Sequence, residues 1–309
     1  MFSWHVWVFL GGTWLLLIAA SIAVYAFARL QPEKNYKELI QRTKSWWMII
    51  AIFSFALLAS RTVSLVFLGF VSFLALKEFF SMVPIRRVDR RVLFWAYLSV
   101  PIQYYWAGID WYGMFIVFIP VYVFLFISAR MVLTQRPEGF LRSVGTIHWG
   151  LMITVFAISH TAYLLVLPSQ PANPAGGAGL LLYLVFLTQF NDVSQYVAGK
   201  LFGKHPIIPL ISPRKTFEGF VGGIVSTTLA AMLLSPLLTP FDLPAALTSG
   251  LLIGITGFLG DVTISAIKRD LDIKDTGSMI PGHGGIMDRI DSLTFTAPLF
   301  FHLTYYFFY

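Results

Sequence analysis

LTSGLLIGITGFLGDVTISAIKRDLDIKDTGSMIPGHGGIMDRIDS, residues 247–292, is an apolar run that passes without a break into a densely polar stretch. Between Ser265 and Ser292 stand nine charged side chains, four glycines and one histidine, and a second apolar run follows from Leu293. A segment this polar is too costly to place in hydrocarbon, and too rich in paired acid and base to read as a plain connection. Its composition points to a site for a metal and phosphates, held beside apolar helices.

The rest of the chain says what holds that site. Of its 309 residues 57% are apolar and 12% charged, which excludes an ordinary soluble domain and predicts an all-α, polytopic integral membrane protein. Apolar stretches fall at roughly 4–28, 46–60, 62–82, 92–107, 109–128, 144–167, 180–198, 219–239, 247–267 and 293–309. About ten transmembrane helices are therefore expected; the short second and fourth stretches leave nine, or a re-entrant pair, as the alternative. The first stretch lacks a basic leader and is longer than a signal core, so it reads as a retained span. Tryptophans near the stretch ends, such as Trp4, Trp46, Trp47, Trp106 and Trp111, suit an interfacial belt. With no cysteine, disulfides, thiolate metal sites and cysteine nucleophiles are excluded.

Charge placement orients the chain. Every second connection is basic: Arg29 to Lys44, Arg86 to Arg91, Arg130 to Arg142, Lys200 to Lys215, and Lys268 to Arg289. The uncharged loop PSQPANPAGGAG, residues 168–179, lies between two of them. By the positive-inside rule the basic loops face the cytoplasm and both termini face outward. The net charge of +7 then reflects orientation and attraction for anionic lipid and nucleotide, with no indication of nucleic-acid binding. Polar chemistry concentrates late in the chain. This divides it into an N-terminal membrane region, 1–167, and a C-terminal membrane catalytic region, 168–309, with its polar site facing the cytoplasm.

Within the second region Asp261, Ser265 and Lys268 share one helix face at i, i+4 and i+7. The plain alternative is an internal pair between Asp261 and Lys268. Asp288 and Asp291, in DRID, are three apart, so a helical turn presents both on one side with Ser292 beside Asp288. Magnesium prefers oxygen ligands, often one or two carboxylates with waters and substrate phosphates. Asp261 and Asp288 are therefore the expected metal pair, with Asp291 either a third ligand or a brace for Arg289 and Lys268. PGHGG, residues 281–285, lets backbone amides approach an anion, and His283 can donate to a phosphate. Upstream, Ser212, Lys215 and Thr216 stand where the first turn of a new span meets phosphates, although ordinary positive-inside charge explains the basic residues equally well. Gln189, Asp192 and Tyr196 fall on one face of the preceding span and should look into the protein or a wet cavity. The other histidines have no carboxylate at metal-site spacing, and no GxSxG, HExxH or Walker-type sequence is present.

At these residues the chain resembles the phosphatidate cytidylyltransferase family, also called CDP-diacylglycerol synthases. Ser265, Lys268, Arg269, Lys274, Asp275, Gly277 and Pro281, then GHGG (Gly282, His283, Gly284, Gly285) and DRID from Asp288 to Asp291, follow the family's C-terminal pattern. GKLFGKH, SPRKTFEGF and the Gly260–Asp261 pair follow it upstream, so the resemblance covers about Asn191 to Ser292. It implies an integral membrane enzyme, in a bacterial plasma membrane, that converts CTP and phosphatidate into CDP-diacylglycerol and pyrophosphate with Mg2+, and a possible homodimer. Carried over, Asp261 and Asp288 hold the metal and, with Lys268, make the catalytic set. Substrate falls to Ser212, Lys215, Thr216, Ser265, Arg269, Lys274, Asp275, the GHGG residues and Arg289. The chain departs from the pattern at Gln195, before Tyr196, where the family commonly has a small residue. A divergent paralogue fits this, so the reaction type is firmer than the lipid acceptor. A CTP-dependent kinase of a polyprenol-type alcohol would instead transfer the γ-phosphate, and a transporter would spread its polar residues along a crossing path.

Overall fold

The computed structural model describes residues 3–31, 36–170, 172–173, 175–277, 279 and 284–309. Helices dominate, and the extended contacts among the described residues are two isolated bridges, Gln170 with Asn173 and Pro206 with Thr216. In order the helices are α1 (Trp4–Leu30), α2 (Lys37–Ala59), α3 (Arg61–Met82), α4 (Val92–Gly108), α5 (Tyr112–Val117), α6 (Phe124–Val132), α7 (Phe140–Leu151), α8 (Ala157–Val166), α9 (Gly176–Phe202), α10 (Phe217–Leu238), α11 (Leu243–Asp270), α12 (Met287–Ile290) and α13 (Leu293–Phe308). A π-helical segment, Phe118–Val123, joins α5 to α6, and another, Met152–Phe156, joins α7 to α8. The first contains Pro120, whose missing N–H a wider turn absorbs.

Among the described residues these elements make ten helical rods, and they overlie the apolar stretches in order. Among the described residues six are long and apolar enough to cross a membrane: Trp4–Leu30, Arg61–Met82, Tyr112–Val132, Phe140–Val166, Phe217–Leu238 and Leu243–Asp270. Of the others, α4 has 17 residues and α13 has 16, below the roughly 20 that a full crossing takes. The stretch expected at 46–60 belongs to a helix that begins at Lys37, so it is short in apolar residues but not in helix.

Packing shows which solvent these rods are built for. On α10 the buried stripe is Gly219, Gly223, Thr227, Ala231 and Ser235, while Val221, Val225, Leu229 and Leu233 are exposed. On α11 Leu243, Leu247, Leu251, Ile255 and Leu259 point outward, and Gly250, Gly254, Gly257 and Gly260 point in. Small residues inside and branched apolar residues outside invert the order of a water-soluble helix, and they are what lipid requires. The protein is an integral membrane protein. Phe140–Val166 runs through the middle, with 78% of its most apolar window buried against 22% for Trp4–Leu30. One core cluster extends from Val6 to Phe301, so the regions on either side of residue 167 share it.

The loops sort by end. Arg86 bonds the carbonyls of Arg136 and Glu138, and its ion-pair partner Asp89 accepts from Ser143, which ties the second basic loop to the third. Arg269 donates to the Ile211 carbonyl at 3.1 Å, tying the fifth to the fourth. At the other end, Gln170 and Asn173 of the uncharged loop bond to Phe308 and Tyr309.

Candidate active site

The site is built where α9, α10 and α11 come into backbone contact. A methyl placed on Gly219 would lie 2.8 Å from the Gln195 carbonyl oxygen and 3.1 Å from Gly199 Cα. One on Gly250 would lie 2.6 Å from Thr228 Cα, and one on Gly260 would lie 2.6 Å from the Asp291 carbonyl oxygen. Such approaches let short polar side chains bridge helices. Asn191 donates to the Gly254 carbonyl at 3.3 Å and accepts from Thr227 at 3.1 Å. The Ser292 hydroxyl, fully buried, stands 3.0 Å from both carboxylate oxygens of Asp192.

Two lysine–aspartate pairs lie here. Lys215 Nζ is 2.5 Å from Asp261 Oδ2, and Ser265 donates to Asp261 Oδ1 at 3.2 Å. Lys215 also lies over the Phe258 ring, 4.8 Å from its centroid, and Thr216 caps α10 by accepting from Gly219 N. In the second pair Lys268 Nζ is 2.8 Å from Asp288 Oδ1. Asp288 Oδ2 faces Thr276 N at 3.0 Å, Thr276 Oγ1 at 2.9 Å and Gly285 N at 3.1 Å. Burial alone would raise this carboxyl, but Lys268 and the two amides prevail and hold it below the usual carboxylate range. Gly284, at φ +80°, leaves the space: a methyl there would stand 2.6 Å from Asp288 Oδ2.

A third acidic group completes the site. Asp291 accepts from Ser292 N at 2.8 Å, and its carboxyl is raised well above the usual range by burial, then by the carboxylates of Asp261 and Asp192. The carboxyls of Asp192, Asp261 and Asp291 are thus near enough to act on one another electrostatically, with Lys215 paired to Asp261, and a hard cation would relieve that crowding. Among the described residues no three acidic or histidine side chains form a ready-made cage. The donor set therefore fits an ion that takes one or two carboxylates and fills its remaining positions with water and phosphate oxygens.

Several sequence expectations meet a different geometry. The internal pair of Asp261 with Lys268 gives way to two crossed pairs, because Lys215 reaches Asp261 from the start of α10 and Lys268 reaches across to α12. Asp288 and Asp291 turn to separate partners, and Ser292 joins Asp192. Tyr196 does not share an inward face with Asp192; it is 68% exposed. Gln195 is buried against α10, where Gly223 makes room for it. Ser212 is half-buried in the loop before α10, while Arg269, Lys274 and Asp275 are exposed at the rim. Gly282 and His283 lie outside the described residues. Arg289 has a buried Nε that finds no partner among the described residues, and its carbonyl accepts from Gln189 at 3.3 Å.

Two participants are not singled out by the motifs. Thr276 lies inside the polar stretch, unmarked by charge. Glu78 comes from α3, where its carboxylate accepts from Thr276 Oγ1, from Ile286 N at 2.8 Å and from Met287 N at 3.1 Å. The available signal is a carboxylate inside an apolar run, which is rarely without a partner.

Fold and site together define a helical integral membrane protein with clustered carboxylates and lysines where its last helices meet. The chain belongs to the cytidylyltransferase family, whose sequence profile matches residues 40–307. It is 44% identical over 292 residues to the uncharacterized protein YnbB of Escherichia coli, covering 94% of this chain and 95% of that one. It is 29% identical over 265 residues to the phosphatidate cytidylyltransferase of Staphylococcus haemolyticus, covering 84% of this chain and 96% of that protein. With the Mycobacterium leprae phosphatidate cytidylyltransferase it shares 46% identity over 123 residues, 39% of this chain and 38% of that protein.

Proposed function

We propose that this protein transfers CMP from CTP to phosphatidate or a related lipid phosphate, giving CDP-diacylglycerol or its analogue and pyrophosphate. The observation that carries the reading is the crossed pairing of Lys215 with Asp261 and Lys268 with Asp288 beside Asp291 and Asp192. Family membership supports the cytidylyl transfer, and relatives named phosphatidate cytidylyltransferase support the lipid acceptor. YnbB and the burial of Gln195 against Gly223 are reasons to keep the acceptor broad.

A lipid phosphate oxygen attacks the α-phosphorus of CTP. The new P–O bond forms as the bond to the bridging oxygen breaks, and its electron pair leaves with pyrophosphate. The nucleophile is already ionised, so positioning and charge neutralisation carry the catalysis. The sequence points to Asp261 and Asp288 as the metal pair; because Asp288 already accepts from Lys268, Thr276 N and Gly285 N, we give the magnesium ion to Asp261 and Asp291, with Asp192 beside them, and keep Asp288 as the partner of Lys268. The ion would supply Lewis-acid polarisation of phosphate oxygens. Lys215 and Lys268 exchange their carboxylate partners for phosphate oxygens as the nucleotide enters. Arg289, Arg269 and Lys274 add positive charge around it, and Ser212, Ser265, Thr216, Asp275 and the Gly282–Gly285 stretch complete the substrate contacts.

The four rods below the span criteria are read here as further crossings, giving ten. The basic loops, and the site with them, are placed on the cytoplasmic side of a bacterial plasma membrane, and a homodimer is the proposed assembly. The test supplies purified protein with magnesium, a panel of lipid phosphates and CTP labelled at the α or the γ position. Label from the α position should enter lipid with release of pyrophosphate. Transfer of γ label to a lipid alcohol would replace this reading with a kinase.

A further inference from the structure

We infer that Glu78, in the N-terminal membrane region, is a positioning residue for the site: it sets Asp288 and Lys268 by fastening both ends of the stretch between Thr276 and Met287. The inference rests on the reading above for what those two residues do.

Glu78 is 7% exposed, and among the described residues no lysine, arginine or histidine forms an ion pair with it. A lone buried carboxylate is costly unless hydrogen bonds replace its water. Here the Thr276 hydroxyl, Ile286 N and Met287 N do so, and all three lie at the two ends of the stretch 276–287. The two amides sit at the start of α12, the four-residue helix that carries Asp288. Thr276 in turn donates its amide to Asp288, and its hydroxyl oxygen lies between the two carboxylates, 2.9 Å from Asp288 Oδ2, so that its one proton serves Glu78 or Asp288. The path Glu78, Thr276, Asp288, Lys268 is thus continuous at hydrogen-bond distance and crosses from α3 to the end of α11.

Two glycines are consistent with a close fit. A methyl on Gly277 would stand 3.2 Å from the Glu78 carboxyl, and one on Gly285 would collide with Glu78 Oε1 and Thr276 Oγ1. The carboxylate is specifically required. Both its oxygens accept, so an amide at position 78 would turn an NH2 against either Ile286 N–H or Met287 N–H.

The test compares full-length wild type with Glu78→Gln, Thr276→Val, Thr276→Ser and the double variant Glu78→Gln/Thr276→Val in one detergent or nanodisc. Amide hydrogen exchange is read on the peptide covering 284–290, with α13 as the internal reference. CMP transfer is read on the same samples. Glu78→Gln should speed exchange in 284–290 and leave α13 unchanged. It should lower turnover by about tenfold to a hundredfold with a smaller change in KM for CTP, as misplacement of a catalytic group does. Thr276→Val should do the same and Thr276→Ser should lose less. The double variant should lose less than the product of the two single losses, since both remove the Thr276–Glu78 contact while Glu78 alone also holds Ile286 N and Met287 N.

Turnover within twofold of wild type, or a loss matched by the loss of folded protein on gel filtration, overturns the positioning role. Unchanged exchange overturns the contact itself. A wild-type chain without transferase activity would instead sink the functional reading, while the exchange difference remains to be read.

Discussion

Two neighbouring helices, α8 and α9, use their polar residues in opposite ways. In the rod that ends with α8, Thr154, Ser159, His160 and Thr161 bond carbonyls of their own helix. In α9, Thr188, Gln189, Asn191 and Asp192 all bond to other helices or to the segment carrying Arg289 and Ser292. The difference follows from what surrounds them. Around the polar residues of α8 the packing is aromatic, with Phe115, Phe156, His160, Tyr163 and Phe301 in contact, and from another helix Gln103 donates to Ser159 at 3.1 Å. Around α9 glycines bring backbones together, so a short side chain spans the gap. Where rings fill the space around polar groups, those groups turn back on their own backbone; where polar side chains of several helices meet beside glycines, they assemble a site.

The largest effect expected from this contrast is on chemistry alone. Asp261→Asn and Asp291→Asn should each lower magnesium-dependent transfer by about a hundredfold or more while the protein stays folded, and chelation should abolish transfer in wild type. Near wild-type rates in either variant would remove that carboxyl from the metal site.

The next compares the two kinds of packing directly. Gly260→Ala drives a methyl into the Asp291 carbonyl and should cost about 1–3 kcal/mol of stability, as overpacking does, together with activity, since it parts Asp261 from Asp291. Ile127→Ala, in the large-residue core, should cost about 2–5 kcal/mol through a cavity and leave the transfer rate of the folded fraction near wild type. Denaturant midpoints and rates measured on the same samples separate the two.

A smaller effect concerns acid. Because the folded state holds Asp288 below its ordinary range, its stabilisation is fully present above the unfolded value of about 3.9 and disappears as pH falls through the lower folded value. Exchange protection of 284–290, corrected for intrinsic rates, should therefore persist at about pH 5 and fail only below about pH 4. Failure already near pH 6 would show that Lys268 does not hold this carboxylate. The smallest effect is outward: Leu229→Ala, on the exposed stripe of α10, should shift stability by less than about 0.5 kcal/mol in lipid. A larger loss would mean that this face is covered by protein.

Much of this was legible in the chain. Asp261, Lys268, Asp288 and Lys215 stand out because a charge beside an apolar run needs a partner, and Gly260 and Gly284 because motif glycines mark close approach. Partner choice was not legible. Lys268 is seven residues from Asp261 on one helix, yet it pairs with Asp288, because α12 places that carboxylate within 2.8 Å. Tyr196 shares a helical face with Asp192 by periodicity, but periodicity does not say where a neighbouring helix stops covering that face. Glu78 is 198 residues from Thr276, and no spacing rule connects the two.

A helical, membrane-embedded chain, the order of its rods, and the gathering of acidic and basic residues between its last apolar stretches follow from the sequence alone, because hydropathy, charge and helical period are local properties written along the chain. The folded arrangement alone shows that lysines and aspartates pair crosswise, that Asp192 meets Ser292, and that Glu78 accepts from Thr276, Ile286 and Met287. Those pairings depend on which backbones touch, and contact between distant segments is settled by packing rather than by distance along the chain.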